Sequence, residues 1–403
     1  MVQMSPQPLP LNRRSPLEPP AGYSRLRAEA PVCPLALPDG NTGWLVSRFE
    51  EVSAALVHPA VSARRKFQTN VSSVTLTAEE WVASGFGEAF IGMDPPEHTR
   101  YRRLLTGQFT VRRLKALEPR IERIVDEHLD AFVAAGPPGD LVAGFATPVP
   151  SLVMSELLGM SAEDSKRFQE HADVMQRFER THDELLTAMT GMGTCMRELV
   201  RDKRAHPDDG LISALVEAEP EDGVALTDEE LVGIGNLLMI AGYATTSNMI
   251  GMGVLALLTH RPQWELLRER PELVERGVEE ILRYLSVAPF GLPRTAKTDF
   301  ELGGQQIRAG DPLVLSIESA NRDADRFDDP DVLDVAREPR RHVGFAYGVH
   351  QCLGQQLARL ELRIAFGRLL QRLPGLRLAV PAGEVPMRDD MQIYGPHKLP
   401  VTW

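Results

Sequence analysis

Phe345-Ala346-Tyr347-Gly348-Val349-His350-Gln351-Cys352-Leu353-Gly354 carries more structural information than any other stretch of this chain. It sets one cysteine in a loop of small residues, directly before a run of helical character, Gln355-Gln356-Leu357-Ala358-Arg359-Leu360-Glu361. A thiolate is a soft, charged ligand, and shielding it from water requires a metal and N–H donors around the sulfur. Gly348 and Gly354 let backbone pass close to Cys352, and a helix start behind it favours negative charge. A lone cysteine is more often an inert, buried, small apolar side chain. The setting of Cys352 favours the other reading, one thiolate holding the iron of a haem.

The rest of the composition narrows the class. At 403 residues, 43% hydrophobic and 25% charged, the chain is typical of globular enzymes built as one large or a few ordinary domains. A net charge of −12 argues against a general nucleic-acid binder, which needs a basic surface. Cys33, Cys195 and Cys352 form no disulfide framework, so a reducing cytoplasm is expected. The Pro-rich start, Met1 to Leu26, has no apolar run suited to a leader or anchor. Leu231 to Leu258 is the longest apolar helix candidate, but Asn236, Thr245, Thr246, Ser247 and Asn248 interrupt it. That pattern suits a core helix better than a bilayer span, and no membrane partner is expected.

Periodicity divides the chain into regions. Residues 1–20 read as a loosely held arm, and 21–403 as one catalytic domain. Helical patterning dominates 96–284 and 353–372, while β-rich segments fall near 30–65, 285–317 and 375–403. Residues 66–92 read as a loop able to cover a pocket. The expected fold class is mainly α with a small β lobe (α+β).

Several residue patterns have a modest reading of their own. Glu280 and Arg283, three apart, share one helix face, and such pairs are usually solvated. His98 and Arg102 share a face of the helix that begins near Pro96, in a basic run with Arg100 and Arg103. In Ile240-Ala241-Gly242-Tyr243-Ala244-Thr245-Thr246 the small residues permit close approach, whether of another helix or of a ligand. The Thr245 hydroxyl is placed to bond back to the carbonyl four residues earlier, loosening the helix.

With these pieces in register, the chain resembles the cytochrome P-450 superfamily over nearly all of residues 20–403. Phe345, Gly348, His350, Cys352 and Gly354 match that family's haem-binding loop. Ala346 stands where the family usually has Gly, a mild change provided the residue keeps a negative φ. The resemblance implies a soluble, bacterial-type haem-thiolate monooxygenase that binds heme b, with Cys352 as the axial ligand. It implies a structural triad of Glu280, Arg283 and Arg337, and propionate partners His98, Arg102, Arg294 and His350. It makes the segment around Ala241 an oxygen-binding groove, with Thr245 as the proton-handling alcohol. The acid that usually precedes that threonine is replaced by Ala244, so Asn248, water or a substrate hydroxyl would have to assist.

The resemblance also places Met239, Ile240, Val287, Phe290, Leu292 and Ile393 in substrate-contact regions, although such residues are equally ordinary core. It implies a monomer acting on a bulky, mostly apolar natural product, with electrons from NAD(P)H through a ferredoxin reductase and a ferredoxin. Arg64, Arg65, Arg112, Arg113 and Lys115 are candidates for the docking face, or simply a solvated one. Ala244 keeps open another haem reaction (peroxide-driven oxidation, dehydration or C–C coupling), and a non-catalytic haem protein is a third alternative.

Overall fold

The helical patterning of the central chain condenses into a stack of helices in the computed structural model, which describes residues 5–64, 76–87, 89–218 and 223–403. The helices are α1 (Gly22–Glu29), α2 (Phe49–Val57), α3 (Ala78–Ala83), α4 (Glu97–Thr106), α5 (Val111–Ala135), α6 (Pro148–Leu158), α7 (Ala162–Gln176), α8 (His182–Ala205), α9 (Leu211–Val216), α10 (Asp228–Thr259), α11 (Arg261–Glu269), α12 (Val274–Tyr284), α13 (Ile317–Ala320) and α14 (Gln355–Arg372). Local chemistry sets where the long ones begin. Thr181 and Glu184 form a capping box on α8, and Thr227 and Glu230 form another on α10. Thr110 and Ser161 cap α5 and α7 with their hydroxyls.

α5 buries Leu114, Ile121, Ile124, Val125, Leu129 and Phe132, an apolar stripe spaced for one helix face. α10 is apolar nearly all round and runs through the centre, packed against α6, α8 and α14. By length and composition it could cross a membrane, yet most of its apolar stretch is buried inside the protein.

The strands are β1 (Gln7–Pro8), β2 (Val32–Ala36), β3 (Thr42–Val46), β4 (Val61–Ser62), β5 (Gly139–Asp140), β6 (Leu292–Ala296), β7 (Phe300–Leu302), β8 (Gln305–Ile307), β9 (Pro312–Leu315), β10 (Arg377–Leu378) and β11 (Pro400–Thr402). They form a six-stranded sheet β1-β2-β3-β9-β6-β4, a three-stranded sheet β10-β11-β5 and the hairpin β7-β8. The large sheet carries a satellite core of its own, in which Val46, Leu313 and Leu315 are fully buried. The mainly helical fold with a small β lobe is therefore as expected.

Three expectations need correction. The arm at 1–20 is docked over its described part, 5–20. β1 pairs in parallel with β2, Arg13 meets Glu318 at 2.7 Å, and the carbonyls of Pro16 and Leu17 accept from Tyr394 and Arg322. Proline removes periodicity, but its carbonyls still accept, so a segment without pattern can be held by side chains from elsewhere. The 66–92 loop contains a short helix, α3, capped by Thr77 and Glu80; its part at 66–75, with position 88, lies outside the described residues. α11 has no counterpart in the sequence reading; Pro262 opens it in the position proline tolerates.

Candidate active site

The loop before α14 bends tightly around Cys352. Its N–H donates to the Phe345 carbonyl at 2.9 Å, and Gln351 N–H donates to Gly348 O at 3.0 Å. Gly348 has φ +78°, and a Cβ there would meet Leu56 O at 2.9 Å, so glycine is required. Ala346 has φ +56°, against the negative φ expected of it: the turn imposes a left-handed conformation even where the glycine is gone. Cys33 and Cys195 are buried, whereas Cys352 is exposed in a recess. The surrounding protein pushes the Cys352 thiol upward, and the Gly354 N–H, Arg102 and Arg359 pull it back.

Two carboxylates of α12 brace this region. Glu280 takes Arg283 Nε at 2.7 Å and Nη2 at 2.8 Å, Arg337 Nε at 3.1 Å, and the backbone N–H of Asp334 at 3.0 Å. Arg283 also donates to the carbonyls of Asn321 and Pro330, so the pair is buried and fully bonded rather than solvated. Glu279, its neighbour, escaped the sequence reading. It accepts from His342 at 3.2 Å and from Arg359, whose guanidinium lies 4.6 Å from the Phe345 ring centre. Burial alone would raise the Glu279 pKa, but those two donors outweigh it and hold the value at about 2. The available signal was Arg359, seven residues past Cys352 on the following helix.

Four basic side chains gather beside the cysteine. His98 and His350 lie 4.1 Å apart, centre to centre, and Arg102 donates to the Gln351 carbonyl. Burial, then His98, Arg294 and Arg102, press the His350 pKa down to about 4, with Asp94 pulling the other way. His98 is lowered by burial and by Arg102. Arg102 in turn is lowered by burial and raised by Cys352. The group is thus one electrostatic unit with the sulfur. Arg100, from the same basic run, pairs with Glu230 of α10 at 2.8 Å, alongside the Tyr101 hydroxyl at 2.7 Å.

On α10, Leu237 and Thr245 are partly exposed and Ala241 is exposed, while Leu238, Met239, Tyr243 and Ala244 are buried. That i, i+4, i+8 stripe marks one helix face looking onto open space. Thr245 Oγ1 donates to Ala241 O at 2.6 Å, the expected back-bond, although the helix continues unbroken. Gly242 serves a different contact: a Cβ there would strike Met154 of α6. Ala244 is 2% exposed, and Asn248 is buried with its amide donating to Ala244 O at 2.8 Å. Neither is exposed along that stripe, and the Asn248 amide is engaged by its own helix.

A sequence profile described as Cytochrome P450 matches residues 150–394, more than half of the chain. Cytochrome P450 105C1 of a Streptomyces species is 43% identical over 403 residues, all of both chains. Mycinamicin VIII C21 methyl hydroxylase of Micromonospora griseorubida is 40% identical, covering 98% of this chain and 99% of its own. The crystal structure of CYP105P1 in complex with filipin I superposes with a TM-score of 0.92 at 42% identity, covering 99% of each chain.

The chain belongs to the cytochrome P450 family. It is a P450 monooxygenase, and its cofactor is haem, with iron under a cysteine thiolate. The residues present fit that group. His350 Nε2 is buried without a hydrogen-bond partner among the described residues, and a Cβ on Gly354 would meet nothing within 4 Å. Two arginines, with two imidazoles able to donate hydrogen bonds, suit a dicarboxylate. Around this P450 site, Val287, Phe290, Leu292, Ile393 and Ile240 are partly exposed. Met239 is 0% exposed and is core, since its position points away from the open stripe. A cavity of ≈ 280 Å³, lined by Phe86, Phe90, Met93, Tyr101, Glu230 and Ile234, adjoins His98 through Phe90; Phe86 and Phe90 belong to the 66–92 segment read as able to cover a pocket.

Proposed function

We propose that this P450 hydroxylates or epoxidises a bulky, mostly apolar natural product of polyketide, macrolide or terpenoid type, residues 21–403 acting as one catalytic domain. One observation carries the reading: an exposed thiol, hydrogen-bonded by the Gly354 N–H, forms one electrostatic unit with His98, Arg102, Arg294 and His350. Cys352 would be the axial ligand of heme b, with Phe345 packed at its loop and the four basic residues receiving the propionates. When bound, the haem supplies dioxygen activation at an iron made electron-rich by its thiolate.

The protein's own residues do the rest. Glu280, Arg283 and Arg337 hold the loop segment in place, and Glu279 with Arg359 steadies Phe345. Ala241 leaves space on α10 for dioxygen and substrate. Thr245 Oγ1 holds a hydroxyl proton that can be offered to the open face once it turns from the Ala241 carbonyl. Val287, Phe290, Leu292, Ile240 and Ile393 would line the apolar cleft. Support for the substrate class comes from the relatives, one named as a mycinamicin VIII hydroxylase and one solved with filipin I.

Electrons would arrive from NAD(P)H through a ferredoxin reductase and a ferredoxin. Arg112 and Lys115 are exposed at the start of α5, a helix tied to α14 by the Arg363–Glu118 and Arg368–Asp126 pairs. That puts a basic edge on the cysteine side, suited to an acidic donor; Arg113 is engaged with Asp209 and Arg65 lies outside the described residues. A monomer working in the cytoplasm completes the reading.

The test is turnover under ¹⁸O₂ with a ferredoxin system, for a compound found by screening for spin-state shifts. One labelled oxygen in the product is expected; unlabelled product defeats monooxygenation of that compound. Ala244 favours a second reading, peroxide-driven oxidation, dehydration or C–C coupling, because no acid sits before Thr245. Ala244→Asp decides its weight. Unchanged coupling of NAD(P)H to product removes any special meaning from the missing acid.

A further inference from the structure

The link between α7 and α8, residues 177–181, carries a charge that the chemistry above does not use. Exposure alternates along it: Arg177 and Glu179 are exposed, Phe178 and Arg180 partly buried. Phe178 and Arg180 therefore turn to the same, inner side. What lies there is fixed by contacts. The Phe178 ring meets Phe290 edge-on at 5.4 Å, and Phe178 N–H donates to Asp390 O at 2.9 Å. Gln392 N–H donates to Gln176 O at 3.0 Å, and Tyr394 N–H to Val287 O at 3.0 Å. On the other flank His182 Nε2 reaches Glu80 of α3 at 3.2 Å. The link thus spans from α3 to the two segments that carry Val287, Phe290, Leu292 and Ile393.

Arg180 is anomalous in this position. Its Nε and Nη1 are shielded from solvent and have no acceptor among the described residues. Burial lowers its pKa, and no carboxylate opposes that effect. Two more deeply buried arginines are arranged differently, Arg283 donating to Glu280 and carbonyls and Arg322 to Asp331 and Tyr284 O, while Arg326 leaves only its Nε shielded without a partner among the described residues. A guanidinium cannot shed its proton in a protein, so shielded donors call for an acceptor from outside the chain.

We infer that Arg180 is a specificity-determining residue, receiving a carboxylate carried by the substrate and selecting apolar acids over their neutral counterparts. The inference rests on the reading of the 286–292 and 390–394 segments as the substrate cleft. Arg180 takes no part in oxygen chemistry; it sets which compounds enter and how they lie. A single charge-assisted contact of this kind corresponds to a preference of roughly ten-fold or more.

The experiment is equilibrium dialysis of the ferric holoenzyme with matched pairs: lauric acid and methyl laurate, deoxycholic acid and its methyl ester, biphenyl-4-carboxylic acid and its methyl ester. At least one acid is expected to bind about ten-fold more tightly than its ester. Arg180→Gln should bring that acid to the ester's affinity and leave the ester unchanged, while Arg180→Lys retains part of the preference. If no acid exceeds its ester, whether or not the esters bind, the guanidinium receives no substrate carboxylate and the inference is overturned. Survival of the preference in Arg180→Gln overturns it equally. The carbon monoxide spectrum of the same reduced samples separates this from failure of the site itself. A missing thiolate-type band counts against Cys352, whereas an intact band without acid preference counts against Arg180 alone.

Discussion

The cysteine side and the α10 side of this site are built by opposite means. Around Cys352, charge is dense and committed: Glu280 holds two arginines and a backbone N–H, and Glu279 holds His342 and Arg359. On α10 the open face offers Leu237, Ala241 and one hydroxyl, Thr245, already bonded to its own helix. A ligand that must not move is fixed by crossing hydrogen bonds, each expensive to break when buried. A face that admits dioxygen and an apolar guest needs space and few competing dipoles. Ala244 extends the contrast, since a buried alanine, with no charge or hydroxyl, directly precedes Thr245.

The largest expected effect tests the cysteine side at its centre. Cys352→Ser should abolish the red-shifted carbon monoxide band of the reduced protein and all turnover; a mutant that keeps the band has another ligand. Next comes Glu280→Gln. It leaves Arg283, almost wholly buried, and Arg337 without their carboxylate, which should cost ~3–5 kcal/mol in urea unfolding and lower haem retention. A loss under 1 kcal/mol would mean that the backbone carbonyls suffice to hold both arginines.

Glu279 sharpens the comparison through pH. Its pKa is depressed from 4.5 to about 2, so its contribution is present above pH 4.5 and is lost as pH falls from there through about 2. Glu279→Gln should cost ~2 kcal/mol at neutral pH and flatten the stability profile within that window. Parallel profiles for the two proteins would place the acid sensitivity elsewhere, with Glu230, also held at about 2 by Tyr101, Thr227 and Arg100 against its burial, the next carboxylate to examine.

What could be read from the sequence divides along the same line. The cysteine loop stood out by its own residue types and spacing. The Glu280 triad and the basic quartet were named only through the family resemblance, since Glu280–Arg283 and His98–Arg102 alone read as ordinary helix pairs. Glu279 was not legible, because a carboxylate beside another carboxylate carries no pattern until Arg359 folds back on it. The long helices were legible from period and caps, whereas α11 and the docked arm depend on partners distant in sequence. Met239 and Gly242 stayed open between core and cleft for one reason: on an all-apolar helix, sequence does not say which face is open. Arg180 was silent too, since an arginine in a link gives no sign of whether its donors are met.

The smallest effect concerns the loop itself, where two residues share a left-handed backbone but not a side chain. Gly348 has φ +78° with no room for a Cβ, while Ala346 has φ +56° and carries one. An L-residue in that region is strained by roughly 1–2 kcal/mol, partly offset because alanine restricts the unfolded chain more than glycine does. Ala346→Gly should therefore stabilise the holoenzyme by ~0.5–1 kcal/mol in urea unfolding, with the carbon monoxide band unchanged. Gly348→Ala should move in the other direction and by more, since it adds a clash with Leu56 O to the strain. Equal and small effects at both positions would show a loop that adjusts freely. The cysteine side would then owe its rigidity to the carboxylate braces of α12 alone, and the backbone turn around Cys352 would follow them rather than share the task.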